Sequence, residues 1–291
     1  MGTDNRQGAA GAAGGYGRIM AAKTIVLTGA TDGLGREVAL ALAAEGHRLI
    51  LHGRRPDALR AVRDEVAAAG GTDPATVEAD LAELAQVRSL PEQIARVTDR
   101  VDVLVNNAGV GPGDPGRPGR LTVDGNELCF AVNYLAAFDL THRLLPMIST
   151  DGGRIVNVAS LGQAPIQFDD LTLAGDHDPW LEYNQSKLAM ITWGFTLAER
   201  LDQVTVNSLH PGTFMPTKMV LDKGIPPVHT TASGVEATTR LITDHALEGI
   251  TGRFYDQLVD ARAHVDEAYD PAVRERLWRT SLDLTGAPEP G

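Results

Sequence analysis

Thr24-Ile-Val-Leu-Thr28-Gly29-Ala30-Thr31-Asp32-Gly33-Leu34-Gly35 is the stretch that decides the fold. It opens as a short β-branched, apolar run and closes on glycines at 29, 33 and 35. Short runs of this kind suit strands buried on both faces of a parallel sheet. A turn so tight needs residues without a Cβ and lets the backbone approach a ligand closely. Leu34, Val38, Ala41, Leu42 and Ala43 then recur at helical spacing up to Gly46. The new helix would aim its first N–H groups back at the turn, a natural seat for an anion such as pyrophosphate.

Outward from this unit, strand and helix signals alternate. Strands are expected at 48–52, 76–79, 101–105, 154–158, 204–208 and 253–255. Helices are expected at 58–69, 84–97 (despite Pro91), 126–148, 180–201 and 234–243. Gly111 to Gly119 reads as a Pro/Gly-rich loop. Repeated βαβ units with right-handed crossovers give an α/β doubly wound parallel sheet of about seven strands, with ligands at the carboxyl ends of those strands.

Composition narrows the class of function. The 291 residues include 43 % hydrophobic ones, enough for one sizeable core, and carry a net charge of −12. That acidity argues against a nucleic-acid partner. No run approaches 18 apolar residues, so no membrane-spanning helix is expected. A single cysteine, Cys129, excludes an internal disulfide and a multi-cysteine zinc site, and the eight histidines form no metal-ligand pattern. Residues 1–22, rich in Gly and Ala, read as a flexible tail with no secretory signal, 23–285 as one domain, and 286–291 as a short C-terminal tail. A cytoplasmic location is the expectation.

Further along, the order of motifs resembles the short-chain dehydrogenase/reductase family. Thr28-Gly29-x-x-x-Gly33-x-Gly35 matches its cofactor fingerprint. Asp80-Leu81, Asn106-Asn107-Ala108-Gly109, Asn133, Ser160, Tyr183-x-x-x-Lys187, Asn207 and Pro211-Gly212 follow in the family's order. The likeness spans about residues 23–260. Ser160-Leu-Gly-Gln163, the long gap before Tyr183, and Ser186-Lys-Leu-Ala189 look most like the retinol-dehydrogenase-like branch. The resemblance implies a Rossmann-type fold, a nicotinamide cofactor and a homodimer or homotetramer built through the 126–148 and 180–201 helices. For cofactor binding it implies Thr28, Gly29, Thr31, Asp32, Gly33, Leu34, Gly35, Asp80, Leu81, Asn107, Ala108, Gly109, Tyr183, Lys187, Pro211, Gly212 and either Thr213 or Thr217. The order Pro211-Gly212-Thr213-Phe-Met-Pro-Thr217 carries one residue more than the usual spacing, so both threonines stay open. The Asn106-Asn107-Ala108-Gly109 motif also has a purely structural alternative, tying neighbouring strands together.

The second strand ends His52-Gly53-Arg54-Arg55. Arginines here favour a 2′-phosphate, and hence NADP(H) over NAD(H), whereas an acid would favour a ribose diol. The alternative is a solvated pair near Asp57. Asp32 sits awkwardly in this scheme, because an acid in the turn could repel phosphate.

Tyr183 and Lys187, four apart, share one face of a helix. A tyrosine normally titrates near ~10, and a neighbouring ammonium is expected to lower that value toward a useful acid–base range. By resemblance, Ser160 orients the substrate oxygen, Lys187 also holds the nicotinamide ribose, and Asn133 holds a water that links Lys187 to solvent.

Leu161–Trp180 and the lid-like Phe214–Val228, with Met215 and Met219, should line the substrate site. Methionine-bearing lids adapt to bulky apolar ligands. The expected substrate is therefore a hydrophobic, even polycyclic, ketone, aldehyde or secondary alcohol. Phe168, Asp169, Asp170 and Trp180 are candidates to shape the pocket. Cys129 reads as a buried small hydrophobe and His210 as structural. Competing readings are a 3-oxoacyl-carrier reductase, a nucleotide-sensing protein without turnover, and a redox-neutral epimerase or dehydratase on the same fold.

Overall fold

The computed structural model describes residues 22–70, 72–113, 120–174 and 178–290. Most of the expected tail before Lys23, and residues 114–119 of the Pro/Gly-rich loop, lie outside the described residues.

The element order is β1 (Thr24–Leu27), α1 (Gly33–Ala44), β2 (Arg48–Gly53), α2 (Pro56–Ala68), β3 (Ala75–Glu78), α3 (Leu84–Val87), α4 (Leu90–Ala95) and β4 (Val103–Asn106). Then come α5 (Leu128–Phe130), a π turn (Ala131–Leu135), α6 (Ala136–Leu144), β5 (Gly153–Val158), α7 (Pro179–Arg200) and β6 (Val204–His210). The chain continues through α8 (Lys218–Leu221), α9 (Thr231–Thr243), β7 (Arg253–Asp256), β8 (Val259–Ala261) and α10 (Pro271–Thr285).

One sheet runs β3-β2-β1-β4-β5-β6-β7-β8. Its first seven strands are parallel, and β8 turns back antiparallel on β7. The order reverses between β1 and β4, which opens a crevice at their carboxyl ends, where doubly wound folds bind ligands. Alternate strand residues feed two cores. Val26, Ile50, Leu104 and Ile155 join one with α6, α7 and α10. Ile25, Leu27, Leu49 and Val103 join the other with α1, α2 and α9.

Two expected elements differ in detail, and a third element was not expected. The helix over 84–97 is two short pieces, with Pro91 in the first turn of the second. Proline lacks the N–H that a continuous helix would need there. The helix over 126–148 is broken by the π turn at 131–135 and ends in a 3₁₀ turn. The third is α10, which the apolar spacing did not single out. It covers α6 and α7: Trp278 is fully buried against Phe138 and under the Arg200 guanidinium, 4.0 Å from its ring. Residues 286–290 are also held to the body. His142 donates from Nδ1 to the Pro288 carbonyl at 2.8 Å, and Trp278 Nε1 donates to Glu289 at 3.2 Å. The apolar residues Phe130, Leu135 and Phe138 are therefore core within a single chain.

Candidate active site

The glycine turn is built as its sequence demands. Gly29 has φ +67°, and a Cβ there would lie 2.7 Å from the Ala108 Cα; a Cβ on Gly35 would meet the Gly29 carbonyl at 2.2 Å. Asp32 caps α1, its Oδ1 accepting from Gly33 N at 2.7 Å. Its carboxylate is thus turned to a local backbone group, which explains an acid in the turn.

Thr28 is buried and knits β1 to β4. Its Oγ1 donates to the Val105 carbonyl and accepts from the N–H groups of Asn107 and Ala108 at 2.9 and 3.0 Å. Asn107 answers by donating Nδ2 to the carbonyls of Thr28 and Gly29. Asn106 bonds Thr141 and Asn157. The two asparagine side chains therefore tie strands together, and Gly109 is the member that faces the catalytic side: a Cβ on it would stand 3.6 Å from Lys187 Nζ. Leu81 and Ala108 line a gap of about 10 Å³ with Thr28. Thr31 lies against Gly53, and Leu34 is buried beside Gly234.

At the end of β2, the Arg54 side chain is 65 % exposed and reaches Asp80 at 4.0 Å, while the Arg55 side chain is exposed with no partner among the described residues. Beneath them lies His52, which the sequence reading passed over. It is 3 % exposed, and its Nδ1 accepts from Gly29 N at 3.3 Å. Its Nε2 donates to the Ala79 carbonyl at 3.1 Å. Burial holds this imidazole neutral, with its pKa down at about 4. A polar residue closing a buried apolar strand was the signal available.

On α7, Tyr183 and Lys187 lie one turn apart, with the ammonium 5.7 Å from the ring centroid. Lys187 is buried and donates to the Val158 carbonyl at 3.0 Å; burial pulls its pKa down to about 8, so it stays largely charged at neutral pH. Tyr183 is hydrogen-bonded to Ser160, and burial outweighs that bond, so its pKa is raised. The direction is opposite to that expected from the lysine alone. At neutral pH the residue is a phenol, ready to donate.

Ser160 Oγ also accepts from Gly162 N at 3.0 Å. Asn133 sits in the π turn, fully buried. Its Oδ1 accepts from Val110 N at 2.7 Å, and Nδ2 donates to the Val110 carbonyl and to Ser186 Oγ. Both of its N–H bonds are taken by protein, so the side chain clamps the β4 loop onto α7 and has no N–H left for a water. Glu127, also missed, caps α5 by accepting from the N–H groups of Cys129 and Phe130, and burial pushes its pKa up to about 7. Cys129 is buried against the Gly111 carbonyl, and burial raises its thiol pKa.

After buried Pro211 and Gly212 the two threonines part. Thr213 turns to His210 Nε2 at 3.0 Å, whereas Thr217 packs on the glycine turn, its Cγ2 lying 3.2 Å from where a Gly33 Cβ would be. The expected lid is a closed loop. At its neck Thr213 N donates to His229 Nδ1, and His229 N returns a bond to the Thr213 carbonyl. Its tip reaches the β4 loop through Met219 on Gly111 and Lys223 on the Gly113 carbonyl. Phe168, Asp169 and Asp170 line a depression of about 370 Å³ with Leu181 and, from α10, Arg276; Trp180 is not in its wall. Among the described residues, no group of three or more His, Cys, Asp or Glu is placed to hold a metal, and no helix is long and apolar enough to cross a membrane.

The family model for short chain dehydrogenases matches residues 23–224. The chain belongs to the short chain dehydrogenase family. As such it is an NAD(P)-dependent oxidoreductase of CH–OH and C=O groups. This dehydrogenase is 33 % identical to mouse retinol dehydrogenase 14 over 94 % of its own length and 89 % of that protein's. It is 32 % identical to a Streptomyces sp. (strain C5) protein provisionally named daunorubicin C-13 ketoreductase DnrU, over 91 % and 93 % of the two chains. A structure from Escherichia coli CFT073 solved with NADPH superposes with a TM-score of 0.68 at 27 % identity, covering 83 % of this chain and 98 % of that one.

Proposed function

We propose that the chain transfers hydride between NADP(H) and a hydrophobic ketone, aldehyde or secondary alcohol, with Tyr183 as proton donor and acceptor. The observation that carries this reading is the meeting of Ser160, Tyr183 and Lys187 at the carboxyl end of the sheet, beside Gly109 and the glycine turn. The cradle fits the cofactor. The start of α1 offers N–H groups to a pyrophosphate, and Arg54 and Arg55 stand exposed for a 2′-phosphate. Asp80 and Leu81 flank the adenine side. Gly109, Pro211, Gly212 and Thr217 flank the other end, with Thr217 favoured over Thr213 by its contact with the turn. When bound, the nicotinamide supplies or takes the hydride.

The protein's part in reduction is to hold and protonate the oxygen. Ser160 Oγ orients the carbonyl oxygen. The Tyr183 phenol gives it a proton as negative charge develops, and the Lys187 ammonium stabilises the phenolate left behind. Asn133 keeps the β4 loop and α7 in register. The exposed and adaptable lid side chains Phe214, Met219 and Leu221 suit a bulky apolar substrate. Retinol and daunorubicin, in the names of two relatives, are bulky molecules with large apolar parts.

The test is kcat/KM with NADPH and NADH over a panel of apolar ketones and aldehydes. NADPH is expected to win by at least about 10-fold, and Arg54→Ala with Arg55→Ala to erase most of that margin. An NADH preference overturns the cofactor assignment. Turnover confined to small polar carbonyls overturns the substrate class.

A further inference from the structure

We infer that His52 is a positioning residue for the adenosine-phosphate half of the cofactor, an inference that rests on the cofactor site proposed above. The reaction itself makes no use of this side chain. Gly29 N donates to Nδ1 at 3.3 Å, so Nδ1 must carry the lone pair and Nε2 the proton. The Nε2 proton then goes to the Ala79 carbonyl at 3.1 Å. The main chain of the same residue adds a third tie, because Ala30 N donates to the His52 carbonyl at 2.9 Å. The first two residues of the glycine turn therefore both hang on residue 52, one through its ring and one through its backbone.

Each tied segment leads to a part of the site. Gly29 and Ala30 open the turn that would take the pyrophosphate. Ala79 is followed by Asp80 and Leu81, and it is itself joined to Gly53 by an N–H to carbonyl bond of 3.4 Å. Gly53 is followed by Arg54 and Arg55. Residue 52 thus underpins, through its ring and its main chain, three segments that would surround adenine, ribose phosphate and pyrophosphate. It is 3 % exposed, so an apolar side chain that fills the same space leaves both backbone groups without a partner.

The test compares His52→Leu, His52→Asn and His52→Gln with the unmutated protein. Leu fills the space with neither bond, Asn keeps an acceptor for Gly29, and Gln keeps a donor for Ala79. Dissociation constants are read for NADPH by its fluorescence, and for adenosine 2′,5′-bisphosphate by calorimetry. Both should rise about 10-fold in the Leu variant and less in Asn and Gln. KM for NADPH should rise in parallel, while kcat at saturating NADPH stays within about 2-fold. A Leu variant with a lower Tm but an unchanged dissociation constant for the bisphosphate would reduce His52 to packing and overturn the inference. If Leu does not fold, wild-type affinity in both Asn and Gln overturns it equally. Failure of the unmutated protein to bind either probe removes the cofactor site itself, an outcome that no His52 variant can mimic.

Discussion

At the scale of single residues, burial decides the chemistry more than pairing does. The four-residue spacing of Tyr183 and Lys187 was legible in the sequence, and so was their shared face. The sign of the tyrosine's shift was not, because it depends on what encloses the ring, and those groups come from distant segments around Ser160 and Cys129. A phenol held protonated suits the reductive direction. Tyr183→Phe should lower kcat by about 10²–10⁴-fold and leave the NADPH dissociation constant within a few-fold, as read by turnover and fluorescence titration on the same preparation. Turnover at the wild-type rate would remove Tyr183 from the mechanism. The roles of His52 and Glu127 were hidden for a related reason. His52 closes an apolar run and Glu127 precedes one, and the meaning of each comes from the two backbone groups that it reaches.

At the scale of elements, the βαβ order was readable because fully buried strands leave short apolar runs between glycines. What hydrophobic spacing cannot carry is a change of helix type. Residues 126–148 look like one apolar helix, yet the π turn at 131–135 is what lets Asn133 reach both Val110 and Ser186. α10 carries no continuous apolar stripe, because its buried positions are only Leu277, Trp278, Ser281 and Thr285, two of them polar. Those few matter. Trp278→Ala should cost about 3–5 kcal/mol, measured from urea unfolding midpoints, because the indole fills a fully buried site among Phe138, His142 and Arg200. A loss below about 1 kcal/mol would show α10 to be an ornament on an already complete core.

For the whole molecule, acid is the informative stress. His52, His142 and His210 are each held near 4, against 6.5 for the unfolded chain. Between those values the unfolded chain binds more protons than the native one, so stability rises with pH and is lost as pH falls from 6.5 toward 4. Glu127 acts in reverse: with its folded value near 7 against 4.5, its contribution is full below 4.5 and fades as pH rises through 7. Three imidazoles outweigh one carboxyl, and the net loss from pH 6.5 to 4.5 should be on the order of 5 kcal/mol. Urea midpoints at stepped pH would show it, and a flat profile would contradict the buried neutral state of these rings.

The docking of α10 has a consequence in time as well as in space. Translation proceeds from the N-terminus at roughly 5–20 residues per second. About seventy residues separate the end of α7 from the start of α10. For something like 4–14 s, therefore, a nascent chain carries Phe138 and His142 without the helix whose Trp278 later shields them. The ribosome makes α6 and α7 early and their aromatic cover late, so the hazard of sticking to neighbours during synthesis falls on the face opposite the one that α1 and α9 enclose.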